Sequence, residues 1–239
     1  MQRSKQGREG RPTAQRSGRR AFFYIVRSPI FFEKTTFLKC KRKFFESIHH
    51  EVLTEQLMCM FKDGALVGVF EQIIHSYEAS LGRGLPIGNL TSQYFANHYL
   101  ASLDRFIKET LHINAYVRYM DDMVFWNSEK RTLMETLAAV RDFVHTELRC
   151  DLKPEAINRS RSGLPFLGYH IFPHHIRLLQ KSKQRFILKM RRIEDGYQSG
   201  DWEEAKCQRR VLPLLAFTGH ADAKKLRESI LSRLHGQSS

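Results

Sequence analysis

The 239-residue sequence lacks the features that mark zinc-binding, secreted or membrane proteins. Its four cysteines, Cys40, Cys59, Cys150 and Cys207, are widely separated, and no CxxC or Cys/His spacing suggests a zinc site or a disulfide framework. No apolar run approaches the ~20 residues that a membrane-spanning helix needs. The basic N-terminus lacks the apolar segment and small-residue cleavage site of a secretory signal. We therefore predict a cytoplasmic protein.

Acidic residues are also few, and their distribution is uneven. The chain has 39 lysines and arginines against 25 aspartates and glutamates, for a net charge of +14. Residues 1–43 contain 13 basic and 2 acidic residues, residues 173–239 contain 14 and 7, and residues 44–172 contain 12 and 16. A slightly acidic centre between basic ends suits a metal-binding core that holds nucleic acid from both sides. A basic surface without a specific partner is the simpler alternative.

The N-terminal 32 residues have little that predicts a folded core. Residues 1–20 are rich in Arg, Gly, Ser and Gln and almost devoid of apolar side chains, so we predict that they are disordered or become ordered on RNA. Residues 21–32 are apolar enough for a strand, which Ser28-Pro29 interrupts.

The segment 114–126 contains the most informative pattern. Apolar and polar residues roughly alternate on both sides of Asp121-Asp122, and β-branched and aromatic residues dominate, which predicts two strands joined by a tight turn. Two adjacent carboxylates repel each other unless cations neutralise them. Oxygen ligands suit Mg²⁺, which binds one or two carboxylates together with substrate phosphates. For the pair considered alone, solvated turn residues without chemistry are the alternative.

The residues around this pair carry a family resemblance. Tyr119-Met-Asp-Asp122 within an apolar hairpin resembles the catalytic palm motif of reverse transcriptases, and the flanking segments agree in order and spacing over about residues 37–172. The resemblance is greatest to the bacterial branch that serves diversity-generating retroelements. It implies RNA-directed DNA synthesis with Mg²⁺ bound by Asp121 as the main ligand and by Asp122 in support. The implied partners are an RNA template, a DNA primer or duplex, dNTPs and an accessory protein, with no membrane.

Residues 84–93 resemble the motif that positions the nucleotide and template in this family. Gly88 lets the backbone approach a ligand closely, and Thr91 or Ser92 is expected to cap the following helix. The sequence Ile87-Gly88 and Ser92-Gln93 resembles the diversity-generating branch, in which loss of the family's usual Gln accompanies error-prone copying. Gly88, Ser92 and Gln93 are therefore candidate nucleotide-binding residues.

Residues 37–48 resemble the first palm motif, with one important difference. Phe45 matches the aromatic residue that the family places beneath the incoming sugar. The strand before it normally carries the other metal-binding aspartate, but counting back from Phe44 gives Cys40 and counting forward from Phe37 gives Lys41. No aspartate occurs before Asp63. The resemblance therefore predicts a site with one carboxylate missing.

The predicted fold class is α/β (α+β): a polymerase palm with an antiparallel sheet and flanking helices, a helical thumb-like region, and largely missing fingers. The predicted domains are residues 1–36, a basic and partly disordered remnant of the fingers; 37–172, the palm; and 173–239, the basic thumb-like region. The strongest helical patterns cover residues 50–61, 66–80 and 129–149. Residues 164–172 resemble the family's Phe-Leu-Gly hairpin, and the resemblance implies that they hold the primer end.

Three functions stay open at this point. The first is a working RNA-directed DNA polymerase whose site is completed by another carboxylate or another chain. The second is a decayed or truncated reverse transcriptase that only binds RNA. The third is a small basic RNA-binding protein in which the aspartate pair is a turn. The order of the motifs argues against the third function, and the missing carboxylate favours the second over the first.

Overall fold

The structure is a computed structural model that describes residues 36–41 and 44–236. The predicted disordered segment 1–20 and the predicted strand 21–32 lie outside the described residues. The α-helices and strands are, in chain order, β1 (Thr36–Lys41), α1 (Phe44–Ser47), α2 (His50–Met60), α3 (Gly64–His75), α4 (Leu90–Tyr99), α5 (Ala101–Arg105), β2 (Tyr116–Tyr119), β3 (Asp122–Asn127), α6 (Lys130–Thr146), β4 (Lys153–Arg159), β5 (Leu164–Phe166), β6 (Tyr169–Ile171), β7 (Ile176–Leu178), α7 (Gln180–Gln198), α8 (Glu204–Thr218) and α9 (Lys224–Gly236). A short π-helix (Phe106–Thr110) follows α5, and a 3-10 turn (Ser160–Ser162) follows β4.

The chain divides into two compact units, of which the first ends at Arg159. Its antiparallel sheet has the strand order β2-β3-β1-β4. In this order β3 is a central strand, and Met123, Val124, Phe125 and Trp126 are all buried. The β1–β4 ladder shifts register between Lys39 and Cys40, so the sheet is irregular at the end of β1. The predicted antiparallel palm sheet with flanking helices is thus confirmed.

Helices α2 to α6 supply most of the apolar side chains in the core of this unit. Tyr99 of α4 lies at its centre and is fully buried. Its hydroxyl donates to the carbonyl oxygen of Leu148 at 2.6 Å and accepts from the backbone N–H of His49 at 3.2 Å. A buried hydroxyl needs such partners because an unpaired polar group is costly in a core. Tyr99 therefore joins the start of α2 to the segment after α6.

The second unit begins at Ser160 and combines a three-stranded antiparallel meander, β5-β6-β7, with helices α7 to α9. The predicted hairpin at residues 164–172 is β5–β6, with Leu167 and Gly168 at its turn, both at positive φ. Tyr169 stacks on Phe217 of α8, with ring centroids 4.7 Å apart, and its hydroxyl donates to the Phe217 carbonyl oxygen at 2.8 Å. These contacts attach the meander to the helices of the same unit.

The predicted helices form, but their ends differ. Helix α3 begins at Gly64 because the Asp63 side chain accepts from the backbone N–H groups of Ala65 and Leu66. The expected cap at Thr91 or Ser92 is wrong, because α4 already begins at Leu90. None of the helices in the described ranges has the length and hydropathy of a membrane span.

Candidate functional site

The β2–β3 hairpin brings the two candidate metal ligands to a two-residue turn. Tyr119 pairs with Asp122, so Met120 and Asp121 form the turn itself. Asp121 and Asp122 are both half-buried. The sequence prediction of two strands joined by a tight turn is confirmed, and the two carboxylates are adjacent where β3 begins.

The turn has an unusual backbone at Met120, whose φ is 54°. Two-residue hairpin turns need positive φ at their first central position, because only such turns match the twist of the two strands, and glycine is the usual residue there. A non-glycine residue in this region costs of order 1–3 kcal/mol and persists only when its surroundings hold it. The hairpin therefore contains a strained residue directly before Asp121.

Side chains from β2, α4 and α5 form a hydrogen-bonded network that contacts the strained turn. Arg118 donates from Nε to Asp104 Oδ1 at 2.8 Å and from Nη2 to Asp104 Oδ2 at 2.5 Å. Its Nη1 donates to Asn97 Oδ1 at 3.1 Å and to the Met120 carbonyl oxygen at 3.0 Å. The Tyr116 hydroxyl donates to Asp104 Oδ1 at 2.8 Å. We call Arg118, Asp104, Asn97 and Tyr116 the Arg118 network.

The Arg118 network keeps its charges although it is largely buried. The Arg118 side chain is 11% exposed and the Asp104 side chain 31%. Burial alone would lower the pKa of Arg118, but the hydrogen bonds and negative charge of Asp104 outweigh it and raise the pKa. The guanidinium is therefore positive at any physiological pH.

Tyr119, the last residue of β2, borders the carboxylates. Burial and then the negative charge of Asp122 raise the pKa of Tyr119. Both causes disfavour the phenolate. Tyr119 is consequently a neutral phenol beside the aspartate pair, and it adds no negative charge to it.

Strand β1 lies beside β3, as the resemblance of residues 37–48 predicts. Cys40 pairs with Met123 in this ladder, two residues along β3 from Asp121. Diagonal neighbours of this kind lie ~7–8 Å apart. The strand that borders the aspartate pair therefore carries Cys40 and Lys41 near its end, with no aspartate or glutamate in β1.

The other predicted site residues belong to a loop and helix in the same unit. Gly88 is exposed, with φ 106°, and nothing lies within 4 Å of the position that a Cβ would occupy. Gln93 is half-buried, whereas Ser92 is 1% exposed and faces the core within the first turn of α4. Phe45 is half-buried, and its carbonyl oxygen accepts from the Leu85 N–H at 2.8 Å.

The contacts connect three of the predicted motifs. The bond from Leu85 to Phe45 joins the loop before α4 to α1, and Asn97 joins α4 to the hairpin turn. Among the described residues, no group of three or more His, Cys, Asp and Glu side chains is placed to hold a metal ion. The candidate metal site is therefore a pair of carboxylates, Asp121 and Asp122.

A family model described as "Reverse transcriptase (RNA-dependent DNA polymerase)" matches residues 19–171. The match covers more than half of the chain and includes β1, the loop before α4 and the β2–β3 hairpin. This chain belongs to the reverse transcriptase family. No curated protein sequence matches it.

A solved telomerase shares the fold of this chain. The telomerase of Candida tropicalis, in complex with the TWJ fragment of telomeric RNA, matches with a TM-score of 0.54 at 12% identity, over 94% of this chain and 43% of that chain. The telomerase of Candida albicans, in complex with the same fragment, matches with a TM-score of 0.49 at 12% identity, over 92% of this chain and 43% of that chain. At this identity the likeness shows the fold alone. This chain spans less than half the length of these telomerases.

The second unit of the reverse transcriptase has a cationic helix face. Helix α7 buries Phe186, Met190 and Ile193 on one side. Four of its exposed cations follow the helical repeat beside this apolar face, at Lys181, Arg185, Lys189 and Arg192. Side chains at this spacing lie in one row along a helix, so α7 presents a continuous basic stripe.

Sequence reasoning missed the Arg118 network. A period-2 strand pattern assigns Arg118 to a solvated face, and its partners on α4 and α5 precede it by 21 and 14 residues. The available signal was a lone arginine between apolar Val117 and Tyr119, directly before the aspartate motif.

Proposed function

We propose that this chain copies RNA into DNA by adding deoxynucleotides to a primer paired with an RNA template. The observation that carries the proposal is the β2–β3 hairpin, which presents Asp121 and Asp122 beside β1 in the arrangement of the family motif. Family membership supports a polymerase, and the turn geometry supports a site for the phosphates of a nucleotide.

The carboxylate pair fits Mg²⁺ by the chemistry of its donors. Carboxylate oxygens are hard ligands, and Mg²⁺ is commonly held by one or two of them together with water and substrate phosphates. Asp121 would be the main ligand and Asp122 the supporting one. When bound, the metal supplies positive charge against the phosphates of the nucleotide. The chain itself contributes a fixed hairpin and a neutral Tyr119 beside it.

Phe45, Gly88, Ser92 and Gln93 are the proposed nucleotide-binding residues. An exposed glycine lets phosphate approach the backbone N–H groups of the loop, and the N-terminus of α4 follows it directly. Ser92 is buried in the first turn of α4, so its contribution is to the position of that turn. Phe45 would lie beneath the sugar of the incoming nucleotide.

The basic stripe on α7 supports binding of a nucleic acid duplex. Lys181, Arg185, Lys189 and Arg192 can contact successive phosphates without reading bases. This mode of binding suits a polymerase, which must hold any sequence. We accordingly propose an RNA template, a DNA primer and dNTPs as partners, with residues 173–239 as a thumb.

We also propose that this reverse transcriptase is of the diversity-generating kind. The support is the sequence Ile87-Gly88 and Ser92-Gln93 in the loop before α4. Error-prone copying is the expected consequence. Sequencing the extension products of a defined RNA template tests it, and copying as faithful as that of a reverse transcriptase with the usual Gln would contradict it.

A second candidate function is RNA binding without synthesis. The observation that favours it is the absence of a carboxylate in β1, where Cys40 and Lys41 border the aspartate pair. A lysine beside a cation site would repel the metal. In this case the chain keeps its fold and the basic stripe on α7, but it does not synthesise DNA.

One experiment separates the two functions. The full chain is incubated with a labelled DNA primer on an RNA template, Mg²⁺ and all four dNTPs, and binding is measured in the same samples by gel shift. Extension that Asp121→Asn abolishes while binding persists would establish the polymerase. Binding without any extension by the unaltered chain would establish the second function. Failure to bind the duplex would contradict both.

A further inference from the structure

The strained turn at Met120 and the Arg118 network occupy the same place in the fold. Arg118 makes four hydrogen bonds: two reach Asp104, one reaches Asn97, and one reaches the carbonyl oxygen of Met120. That carbonyl belongs to the peptide bond that precedes Asp121. A single buried guanidinium thus connects α4, α5 and the residue that sets the direction of the carboxylates.

We propose that Arg118 is a positioning residue that holds the left-handed Met120 turn, and with it Asp121 and Asp122, in the geometry needed for metal binding. The metal part of this inference rests on the proposed function. The part that concerns the turn rests on the hydrogen bonds and on the φ of Met120.

Arginine is the side chain that this task requires. Its planar fork donates in fixed directions, so Asp104 can orient the guanidinium while Nη1 reaches the turn. A lysine has a single ammonium on a flexible stem and cannot satisfy Asp104, Asn97 and Met120 together. Asn97 adds a second contact to the turn, from Nδ2 to Met120 Sδ at 3.5 Å.

The network also links two of the motifs. Asn97 lies on α4, which follows the exposed Gly88 loop, and it accepts from the same Nη1 that donates to Met120. A shift of α4 would therefore change the hydrogen bond between Arg118 and the Met120 carbonyl oxygen. The network thus fixes the position of the proposed metal-binding carboxylates relative to the loop that is proposed to contact the nucleotide.

The test compares Arg118→Lys with the unaltered chain by hydrogen exchange of the backbone amides in residues 119–123. A hydrogen bond from a charged donor contributes enough that its loss is expected to speed exchange at the turn roughly 10- to 100-fold. Arg131→Lys is the matched control, because Arg131 forms an exposed pair with Glu135 on α6. It should leave exchange at the turn unchanged.

A glycine at position 120 distinguishes positioning from general stability. Glycine adopts positive φ without strain, so Met120→Gly should restore slow exchange at the turn when combined with Arg118→Lys. Glycine does not restore the contacts to Asp104 and Asn97, so the melting temperature that the lysine substitution lowers should recover only in part. Equal losses of protection with methionine and with glycine at position 120 would overturn the proposal, as would turn exchange that Arg118→Lys leaves within twofold. If Arg118→Lys does not fold, Asp104→Asn removes the orienting charge and is subject to the same criteria.

Binding of Mn²⁺ alone, measured by electron paramagnetic resonance, addresses the metal part separately. Arg118→Lys should weaken Mn²⁺ binding at least ~10-fold, and Met120→Gly should recover it in the double variant. Faster turn exchange with unchanged Mn²⁺ binding would overturn the role in metal positioning. If the unaltered chain binds no Mn²⁺ although the exchange results hold, the proposed metal site fails, and the role of Arg118 in the turn stands.

Discussion

Replacing Lys41 by aspartate should rebuild the missing part of the metal site. Cys40 pairs with Met123, which is 1% exposed. Continuing the ladder by one residue brings position 41 opposite Asp122, and directly opposed residues of antiparallel strands share a face of the sheet. A carboxylate at position 41 would therefore lie on the same face of the sheet as Asp122.

The size of the effect follows from charge and distance. Opposed α-carbons in an antiparallel pair are ~4.5–5.5 Å apart. Two unit charges at ~5 Å interact by ~3 kcal/mol when the effective dielectric constant is about 20. The substitution removes a cation and adds an anion, but solvent at the end of β1 weakens both terms. We expect Mn²⁺ to bind ~10- to 100-fold more tightly, and primer extension to rise by up to ~10²-fold.

The assay is titration of each variant with Mn²⁺, followed by primer extension on RNA. Lys41→Asp should gain in both, and adding Asp121→Asn should abolish the gain. Lys130→Asp is the matched control: it makes the same change of charge at an exposed position at the start of α6 and should not tighten metal binding. Equal tightening by Lys130→Asp would show that the gain comes from net charge and not from a carboxylate beside the turn.

Three further outcomes are expected. Tyr99→Phe should lower the free energy of unfolding, measured by urea titration, by ~1–3 kcal/mol, because it leaves the Leu148 carbonyl and the His49 N–H without their partner. A loss below ~0.5 kcal/mol would contradict this prediction. Burial and then the charge of Asp104 raise the pKa of Tyr116, so the unfolded chain loses the phenol proton at a lower pH than the folded chain. The free energy of unfolding should therefore fall as the pH rises above about 10. Tyr116→Phe should make this fall shallower, and an unchanged slope of stability against pH would refute the prediction. The double substitution Lys181→Gln and Arg185→Gln should reduce the slope of log affinity for RNA–DNA duplex against log salt concentration by ~1–2. Arg131→Gln on α6 should leave this slope unchanged, and equal effects of the two changes would show that α7 does not contact the duplex.

Local patterns predicted the hairpin and most helices because their causes are local. Alternation around Asp121-Asp122 fixes two strands and a turn, and the apolar repeat of residues 129–149 fixes α6 to within a few residues. The position of β1 beside β3 joins Cys40 to Met123 across more than 80 residues, and only the family resemblance indicated it.

Residue-level contacts were harder to predict than elements. Ser92 was expected in a cap and lies inside a helix, because the chain turns at Gly88 and α4 begins immediately after Asn89. Arg118 was overlooked because a charged residue in a strand is usually solvated, and nothing in the local pattern indicates that Asp104 would cover it. Such contacts depend on how helices pack against the sheet.

The Arg118–Asp104 pair also bears on the choice between synthesis and binding alone. Largely buried ion pairs commonly contribute less to stability than apolar side chains of similar volume. A protein that only holds RNA through phosphates needs neither this pair nor a left-handed residue at position 120. The pair is therefore better explained by a requirement for the geometry of the aspartate turn than by a requirement for stability.

This argument predicts the behaviour of Arg118→Met combined with Asp104→Leu and Tyr116→Phe. The triple variant should keep or raise the melting temperature, because neither a buried charge nor the buried hydroxyl of Tyr116 is left without a partner. It should bind RNA–DNA duplex as the unaltered chain does. Exchange at residues 119–123 should nevertheless become fast, and Mn²⁺ binding should weaken at least ~10-fold. A large fall in melting temperature would show instead that the Arg118–Asp104 pair stabilises the fold. The inference that the pair serves the geometry of the aspartate turn would then fail.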